Sequence, residues 1–175
     1  YYSGSVQQDH ITLFISTLKE YKSCAIRGQQ FGGVSVHGRM TTTNFVTLVN
    51  GDYWTMREFD FIAGRSFTEE EVQSRTKVAV IGKSFAKANF KTNEIVGQKV
   101  EFQDVDYTIV GIVDDYNNFV NGVEEVWIPH TFNRFQPEHN LFYQLSILPE
   151  EGVSVTGFKG KVIAALKLYY MAEPT

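Results

Sequence analysis

The stretch VAVIGKSFAKANF, residues 78–90, joins a strand to a helix. The run Val78–Ile81 is typical of a strand that is buried on both faces. Gly82 then breaks the strand, and Ser84 is placed to cap the following helix by accepting from its free N–H groups. This stretch therefore predicts a fold in which strands and helices are mixed.

The same stretch contains Gly82-Lys83-Ser84, which is how a nucleotide-binding phosphate loop ends. The full motif needs another glycine five positions before the Gly–Lys pair, and that position is Lys77. A strand fills the space between, so its N–H groups are committed to sheet partners and cannot surround a phosphate. We expect no nucleotide or other cofactor to bind here.

Composition indicates a globular chain without an obvious chemical bias. The 175 residues are 43% hydrophobic and 21% charged, with a net charge of -4. A chain of this length buries about 70% of its extended surface, enough for one large core or two small ones. Its mild acidity argues against a nucleic-acid partner, which would need a basic face. Nine Tyr and fourteen Phe favour a β-rich domain with contact surfaces.

Periodicity and turn residues predict the order of the elements. Thr68 and Glu71 form a capping box that opens a short acidic helix, and a hairpin is expected around Asp104. The predicted elements are a helix over 10–21 capped by Asp9, strands over 34–40 and 43–50, a short helix from 52, an extended segment over 59–67, a strand ending at Pro129, a strand over 141–148 and a helix over 156–170.

This order suggests an α+β fold with two subdomains. Residues 1–40 and 136–175 are expected to form an α/β subdomain of β-α-β type from both ends of the chain. Residues 41–135 are expected to form a β-rich subdomain inserted into it. No apolar run is long enough to span a membrane, and the chain begins at Tyr1 without a methionine, which suggests a processed chain or an excised piece.

Residues that could support catalysis or metal binding are isolated. The four histidines, at 10, 37, 130 and 139, include no pair at helical metal-site spacing, and Cys24 is the single cysteine. Asp114-Asp115 follows a strand and could hold magnesium, but the same residues are typical of a solvated loop. We therefore predict no catalytic, cofactor-binding or metal-binding residue, and no enzyme.

Four segments in series resemble the signatures of MacB-type periplasmic core domains in the MacB/FtsX-like permease family. They are NGDYWTMREFDFIAGRSFTEEEV (50–72), the opening stretch with its continuation to Val100, YTIVGIVDD (107–115) and VWIPHT (126–131). Two departures are that Glu94-Ile95-Val96-Gly97 lacks the proline common in the family, and that Gly82-Lys83 replaces its usual break before the helix. In the first two segments the matching residues are Asp52, Tyr53, Met56, Gly64, Arg65, Phe67, Thr68, Glu70, Val78, Val80, Ile81, Ser84, Ala86, Phe90, Ile95, Gly97, Lys99 and Val100.

The resemblance implies a non-catalytic domain on the periplasmic face of the bacterial inner membrane. Such domains have a "porter" subdomain split by an inserted, mostly β "sabre" subdomain, and they transmit ATP-driven conformational change to partners or cargo. The implied partners are a second permease copy, a cytoplasmic ATPase subunit or domain, and a periplasmic adaptor or lipoprotein cargo. Efflux, lipoprotein transport and regulation of cell-wall hydrolases are all represented among family branches. The alternative is a stand-alone soluble α+β ligand-binding protein or enzyme whose motif matches are coincidental.

Two aromatic-containing loops are candidates for partner contact, since docking surfaces are marked by exposed aromatics in loops. The first, residues 116–123, carries Phe119 and Val120, and the second, residues 131–140, carries Phe132 and Phe135. In the alternative interpretation these side chains fold back and cover a seam between the subdomains.

Overall fold

The computed structural model describes residues 5–7, 14–15, 17–114, 125–132 and 142–171. Within these ranges the protein is an α+β fold, built on one sheet of eleven strands with few helices. The predicted fold class is thereby confirmed. The strands are β1 (Ser5–Gln7), β2 (Tyr21–Phe31), β3 (Val34–Val36), β4 (Arg39–Met40), β5 (Phe45–Val49), β6 (Phe61–Gly64), β7 (Val78–Gly82), β8 (Lys99–Phe102), β9 (Val105–Val113), β10 (Val126–Pro129) and β11 (Phe142–Pro149). The helices are α1 (Gly51–Met56), α2 (Glu69–Gln73), α3 (Lys83–Asn89) and α4 (Val155–Met171).

The strands follow the order β1–β11–β2–β5–β10–β7–β9–β8–β3–β4, and β6 pairs with the end of β9. The pairs β5–β10 and β7–β9 are parallel, and the other pairs are antiparallel. Parallel neighbours need a crossover connection, and α3 lies in the one that joins β7 to β9. The first and last described strands are neighbours at one edge, and the β3–β4 hairpin forms the opposite edge.

Each face of the sheet has its own core because side chains alternate along a strand. In β5, Leu48 belongs to the first cluster and Val49 to the second, and in β7 Ile81 and Val80 divide in the same way. The first face is covered by the helical turn at 14–17 and by α3 and α4, which contribute the buried residues Phe14, Phe85, Phe158 and Val162. The second face is covered by α1 and α2, which contribute Tyr53, Trp54 and Val72.

The long strand β2 is absent from the predicted elements. The predicted helix over 10–21 is correct where Phe14, Ile15 and Thr17 are helical, but Tyr21 already begins β2. The strand forms because β11 pairs with its residues 21–27 and β5 pairs with its residues 27–31, so each half of β2 has a strand neighbour that satisfies backbone groups. Ile11 lies outside the described residues.

Two further local predictions need correction. Residues 34–40 are two short strands, because His37 and Gly38 adopt φ values of 49° and 74° and reverse the chain. Helix α3 begins at Lys83 with Gly82 as its N-cap, so Ser84 lies inside the first turn. The predicted hairpin at Asp104 and the capping box of α2 are confirmed.

Two glycines of the family-like segments, Gly64 and Gly111, lie opposite each other where β6 pairs with β9. Gly64 and Gly111 are register partners, and Gly64 has a φ of 64°. A Cβ at Gly64 would lie 2.0 Å from the carbonyl oxygen of Val110, and one at Gly111 would lie 2.1 Å from that of Arg65. Only glycine allows the two backbones to approach this closely, which gives these positions of the 50–72 and 107–115 segments a structural reason.

The division into subdomains at 40/41 and 135/136 stays a prediction. One continuous sheet crosses it, because β5, from the inserted part, pairs with β2 from the outer part. The first core cluster likewise contains Ile26 and Tyr143 from the outer part together with Leu48 and Ile109 from the inserted part.

Candidate interaction surfaces

The segment that imitates a phosphate loop is a structural junction. Strand β7 is buried throughout and paired on both sides, and the N–H of Gly82 donates to the carbonyl oxygen of Glu125 at 2.9 Å. The Nζ of Lys83 lies 3.7 Å from a carboxylate oxygen of Asp114 at the end of β9. The backbone groups of residues 78–82 are therefore used by the sheet, and the lysine is paired.

The histidines and acidic residues are dispersed in the part of the chain that the structure describes. No group of three or more His, Cys, Asp or Glu side chains is placed there to hold a metal ion. His37 lies in the exposed β3–β4 turn, rather than in the middle of a strand. His130 is buried at the end of β10, and burial lowers the pKa of its imidazole to about 4. His10, Asp115 and His139 lie outside the described residues.

A cleft of about 580 Å³ opens between β2, the start of α1 and α2, and we call it the Cys24 cleft. Its described lining combines the apolar side chains of Ile15, Leu18 and Ile26 with the polar groups of Asp52 and Glu69. Cleft volumes of roughly 300–1,000 Å³ are usual for small-ligand sites, so this cleft is large enough to hold one. Also in its lining are Tyr21, Cys24, Asn50, Gln73 and His130.

The electrostatics of the Cys24 cleft suppress thiol chemistry. Cys24 is 2% exposed. Burial, together with the carboxylates of Asp52 and Glu69, raises the pKa of its thiol to about 12. The pKa of the Tyr21 hydroxyl is also raised, mainly by burial and to a smaller extent by the charges of Cys24 and Asp52. Because a thiol reacts as its thiolate, Cys24 is a packing residue at neutral pH.

Side chains of the Asn50-Gly51-Asp52 segment continue the sheet beyond the end of β5. The Oδ1 of Asn50 accepts from the N–H of Ile26 at 3.0 Å, and its Nδ2 donates to the carbonyl of Cys24 at 2.7 Å. A carboxylate oxygen of Asp52 accepts from the N–H of Cys24 at 2.9 Å. Asn50 also caps α1 by accepting from the N–H of Tyr53. The segment thereby fastens α1 to β2.

An ion pair supports the start of α2. The guanidinium of Arg65 donates to both carboxylate oxygens of Glu71, each at 2.9 Å. The same carboxylate accepts from the N–H of Thr68, whose hydroxyl accepts from the N–H of Glu71. The bonds from Arg65, with those at Thr68, lower the pKa of Glu71. The GRSFTEEE segment (64–71) thus holds the start of α2 in place, and Arg65, Thr68 and Glu71 are structural partners of one another.

The predicted contact residues can be placed only in part. Phe119, Val120 and Phe135 lie outside the described residues. Phe132 is 9% exposed, its ring meets that of Tyr107 edge to face at 5.0 Å, and the guanidinium of Arg75 lies 5.3 Å from its centroid. Phe132 is thus packed in the first core cluster. A role of the four residues in docking stays a prediction.

Sequence reasoning did not identify the cleft residues. In the sequence Asn50 only ends the predicted strand over 43–50, and its contacts with β2 become visible only once β2 and β5 are paired. The available signal was the Asn-Gly-Asp sequence immediately before a helix, where Asn is a preferred N-cap residue. His130 follows a strand and carries no motif, so nothing in the sequence indicates its burial.

Comparison with known families and proteins gives a consistent result. The model of the family described as MacB-like periplasmic core domain matches residues 8–165. A macrolide export ATP-binding/permease protein MacB from Chlorobium phaeobacteroides is 34% identical over 77 residues, which are 44% of this chain and 12% of that protein. A MacB 2 protein from Aeromonas hydrophila is 26% identical over 117 residues, 65% of this chain and 18% of that protein. The chain thus matches only a small part of these longer relatives.

Solved structures show the same fold. The periplasmic region of MacB from Actinobacillus actinomycetemcomitans aligns with a TM-score of 0.75 at 19% identity, covering 94% of this chain and 76% of that one. The extracellular domain of the noncanonic ABC-type transporter YknZ from Gram-positive bacteria aligns with a TM-score of 0.74 at 17% identity, covering 97% and 86%. The family resemblance found in the sequence is confirmed. No helix in the described ranges is long and apolar enough to cross a membrane.

Proposed function

Because the chain belongs to the MacB-like periplasmic core domain family, we propose that it is a non-catalytic domain that transmits ATP-driven conformational change. It is a part of an ABC-transporter permease, and it acts on periplasmic partners or on cargo. The reaction that drives it, hydrolysis of ATP, takes place in a separate cytoplasmic subunit or domain.

The continuous sheet is the observation that carries this proposal. Strands β1 and β11 lie at one edge and the β3–β4 hairpin at the other, with six strands between them. At about 4.8 Å for each of the nine steps, this path is roughly 40 Å long. Backbone hydrogen bonds join every step, and both faces are packed, so a displacement of one edge moves the other edge with it.

The side chains best suited to catalysis have structural roles, which supports a function without catalysis. Cys24 is buried with a raised thiol pKa, and Lys83 is paired with Asp114. Glu71 and Arg65 hold the first turn of α2. These contacts fix the geometry of the sheet and its helices, as a transmitting element requires.

The partners follow from the proposed place in a transporter. They are a second copy of the permease, the cytoplasmic ATPase subunit or domain, and a periplasmic adaptor or lipoprotein cargo, with no nucleic acid among them. The domain would lie on the periplasmic face of the bacterial inner membrane. The names of the relatives, which describe ATP-binding/permease proteins of macrolide export, support the ATPase and the permease among these partners.

One observation favours a second function, the binding of a small ligand. The Cys24 cleft has the volume and the mixture of apolar and polar lining that ligand sites show. A stand-alone ligand-binding protein would use this cleft and would need no membrane neighbour. The first function requires a periplasmic location, and one labelling experiment tests that requirement.

The experiment introduces Lys99→Cys into the full-length protein that carries this domain. Lys99 is exposed on β8, whereas the native Cys24 is buried with a raised thiol pKa and serves as the unreactive background. A membrane-impermeant maleimide is added to cells whose outer membrane has been permeabilised. The proposal expects labelling with the inner membrane intact that exceeds the labelling of the same protein without the substitution. Labelling only after the inner membrane is broken would contradict it.

A further inference from the structure

A second cleft, of about 820 Å³, lies between the β3–β4 hairpin and the end of α3, and we call it the basic cleft. Arg39 and Met40 of β4 form one side, and Lys87 of α3 with Lys91 after it forms the other. It belongs to the edge of the sheet opposite to β1 and β11.

The charge of this cleft is opposite to that of the whole chain. Three cations, Arg39, Lys87 and Lys91, line it, and no carboxylate is among its described lining residues, although the chain carries a net charge of -4. Elsewhere, Arg65 and Lys83 have carboxylate partners within 4 Å. In the described part of the chain no such ion pair is formed by the three cations of the basic cleft. Their charge is therefore available to a binding partner.

The walls of the basic cleft are held by contacts that cross it. The Nε2 of His37 lies 3.0 Å from the Oε1 of Gln98, and the His37 ring meets that of Phe90 edge to face at 6.0 Å. Phe90 is buried and anchors this contact in the first core cluster. The hairpin and the segment after α3 are thus fixed relative to each other, so a partner would meet a preformed surface and little ordering would be needed on binding.

An apolar side chain stands among the cations. Met40 is 70% exposed, and its methyl group lies over Gly33, where a Cβ would be only 2.1 Å away. A flexible thioether on a glycine surface adapts to different apolar partners. The basic cleft therefore offers both charge for carboxylates and one apolar contact.

We propose that the basic cleft binds an acidic segment of a partner protein, with carboxylates facing Arg39, Lys87 and Lys91 and an apolar side chain covering Met40. Charge complementarity selects an acidic partner, and the concave form with an exposed methionine on one wall favours a peptide over a flat lipid surface. The inference rests on the proposed function, because a transmitting domain needs a partner at the edge that it moves. Peptide binding to the 175-residue chain and labelling of the full-length protein are measured separately, so each can fail alone.

The test uses a fluorescein-labelled peptide of alternating Glu and Leu residues and measures its binding to the chain by fluorescence anisotropy. Replacing Arg39, Lys87 and Lys91 by Gln together should weaken binding about tenfold, as expected for three exposed ion pairs. The matched control replaces Lys22, Lys77 and Lys159, which are exposed elsewhere, by Gln and should leave binding unchanged. Raising the salt from about 0.1 M to about 1 M shortens the screening length from about 10 Å to about 3 Å and should also weaken binding.

A second pair of measurements tests the apolar contact. Met40→Gln should weaken binding of the Glu–Leu peptide and leave binding of a Glu–Ser peptide unchanged. Melting temperatures of all variants verify that they are folded. Equal loss of binding in the cleft and control triple variants would overturn the proposal. So would the absence of peptide binding, or binding of phosphatidylglycerol vesicles in place of the peptide.

Discussion

The side-chain amide of Asn50 donates to the carbonyl oxygen of Cys24 at 2.7 Å. The two residues are buried, and the same amide accepts from the N–H of Ile26 and caps α1. Beyond the end of β5, the Asn50 side chain thus supplies β2 with hydrogen bonds that a neighbouring strand would otherwise make. It also binds the start of the helix that covers the second face of the sheet.

Asn50→Ala should lower the free energy of unfolding by about 2–4 kcal/mol. The substitution leaves a buried N–H and a buried carbonyl of β2 without a partner and removes the cap of α1. Urea unfolding followed by tryptophan fluorescence measures the change. The matched control Asn93→Ala, at an exposed position, should shift the value by no more than about 0.5 kcal/mol. Equal effects of the two substitutions would show that Asn50 has no special structural role.

The burial of His130 predicts how the free energy of unfolding depends on pH. Its folded-state pKa of about 4 lies below the ordinary value near 6.5. Between pH 6.5 and pH 4 the unfolded chain therefore binds a proton at His130 that the folded chain does not bind. The contribution of neutral His130 to the free energy of unfolding is complete above pH 6.5 and is lost as the pH falls towards 4. In His130→Phe, the free energy of unfolding should fall less than in the wild type over this window. The values at pH 7.5 serve as each protein's own reference, and parallel curves would refute the assignment.

The contacts around Lys83 predict that the chain does not bind a nucleotide. Strand pairing uses the N–H groups before it, and its ammonium group faces Asp114. Titration calorimetry of the chain with ATP and magnesium should therefore give no binding heat. Micromolar binding that Lys83→Ala abolishes would restore the phosphate-loop interpretation of residues 78–90.

The aromatic residues of the two predicted contact loops should differ in their effects. Phe132→Ala should cost about 3–5 kcal/mol of stability, because the ring is buried against Tyr107. Phe31→Ala, at a ring that is 74% exposed, is the control and should cost no more than about 1 kcal/mol. For Phe119→Ala and Phe135→Ala we expect weaker transport in cells with a nearly unchanged melting temperature. A large fall in melting temperature would place those two in the core.

The sequence predicted elements whose signals are local. The Thr68–Glu71 capping box, the turn at Asp104 and the strand predicted over Val78–Ile81 are each formed by adjacent residues, and each is present. Strand β2 was missed because Gly28 interrupts its apolar pattern. A Cβ at Gly28 would lie 2.7 Å from the ring of Tyr143, so the missing side chain is supplied by the neighbouring strand. Such compensation between distant residues is invisible before the strands are paired.

The candidate surfaces depend on the same long-range information. The basic cleft joins Arg39 to Lys87, which are far apart in the chain and share no motif. The Cys24 cleft likewise combines β2 with His130. Exposed aromatics in loops were a reasonable signal for contact residues, but Phe132 shows that a loop position next to a strand end can be part of the core.

The most direct test of the central claim, transmission, is the distance between the two copies of this domain that the proposed function places in the full-length transporter. A spin label at Lys99→Cys, on the exposed face of β8, reports the far region of the sheet, and the buried Cys24 stays unlabelled. Pulsed electron paramagnetic resonance measures the label–label distance without nucleotide and with ATP trapped. We predict a clear change in that distance between the two states. The same distance in both states, in a transporter that hydrolyses ATP, would contradict a transmitting role.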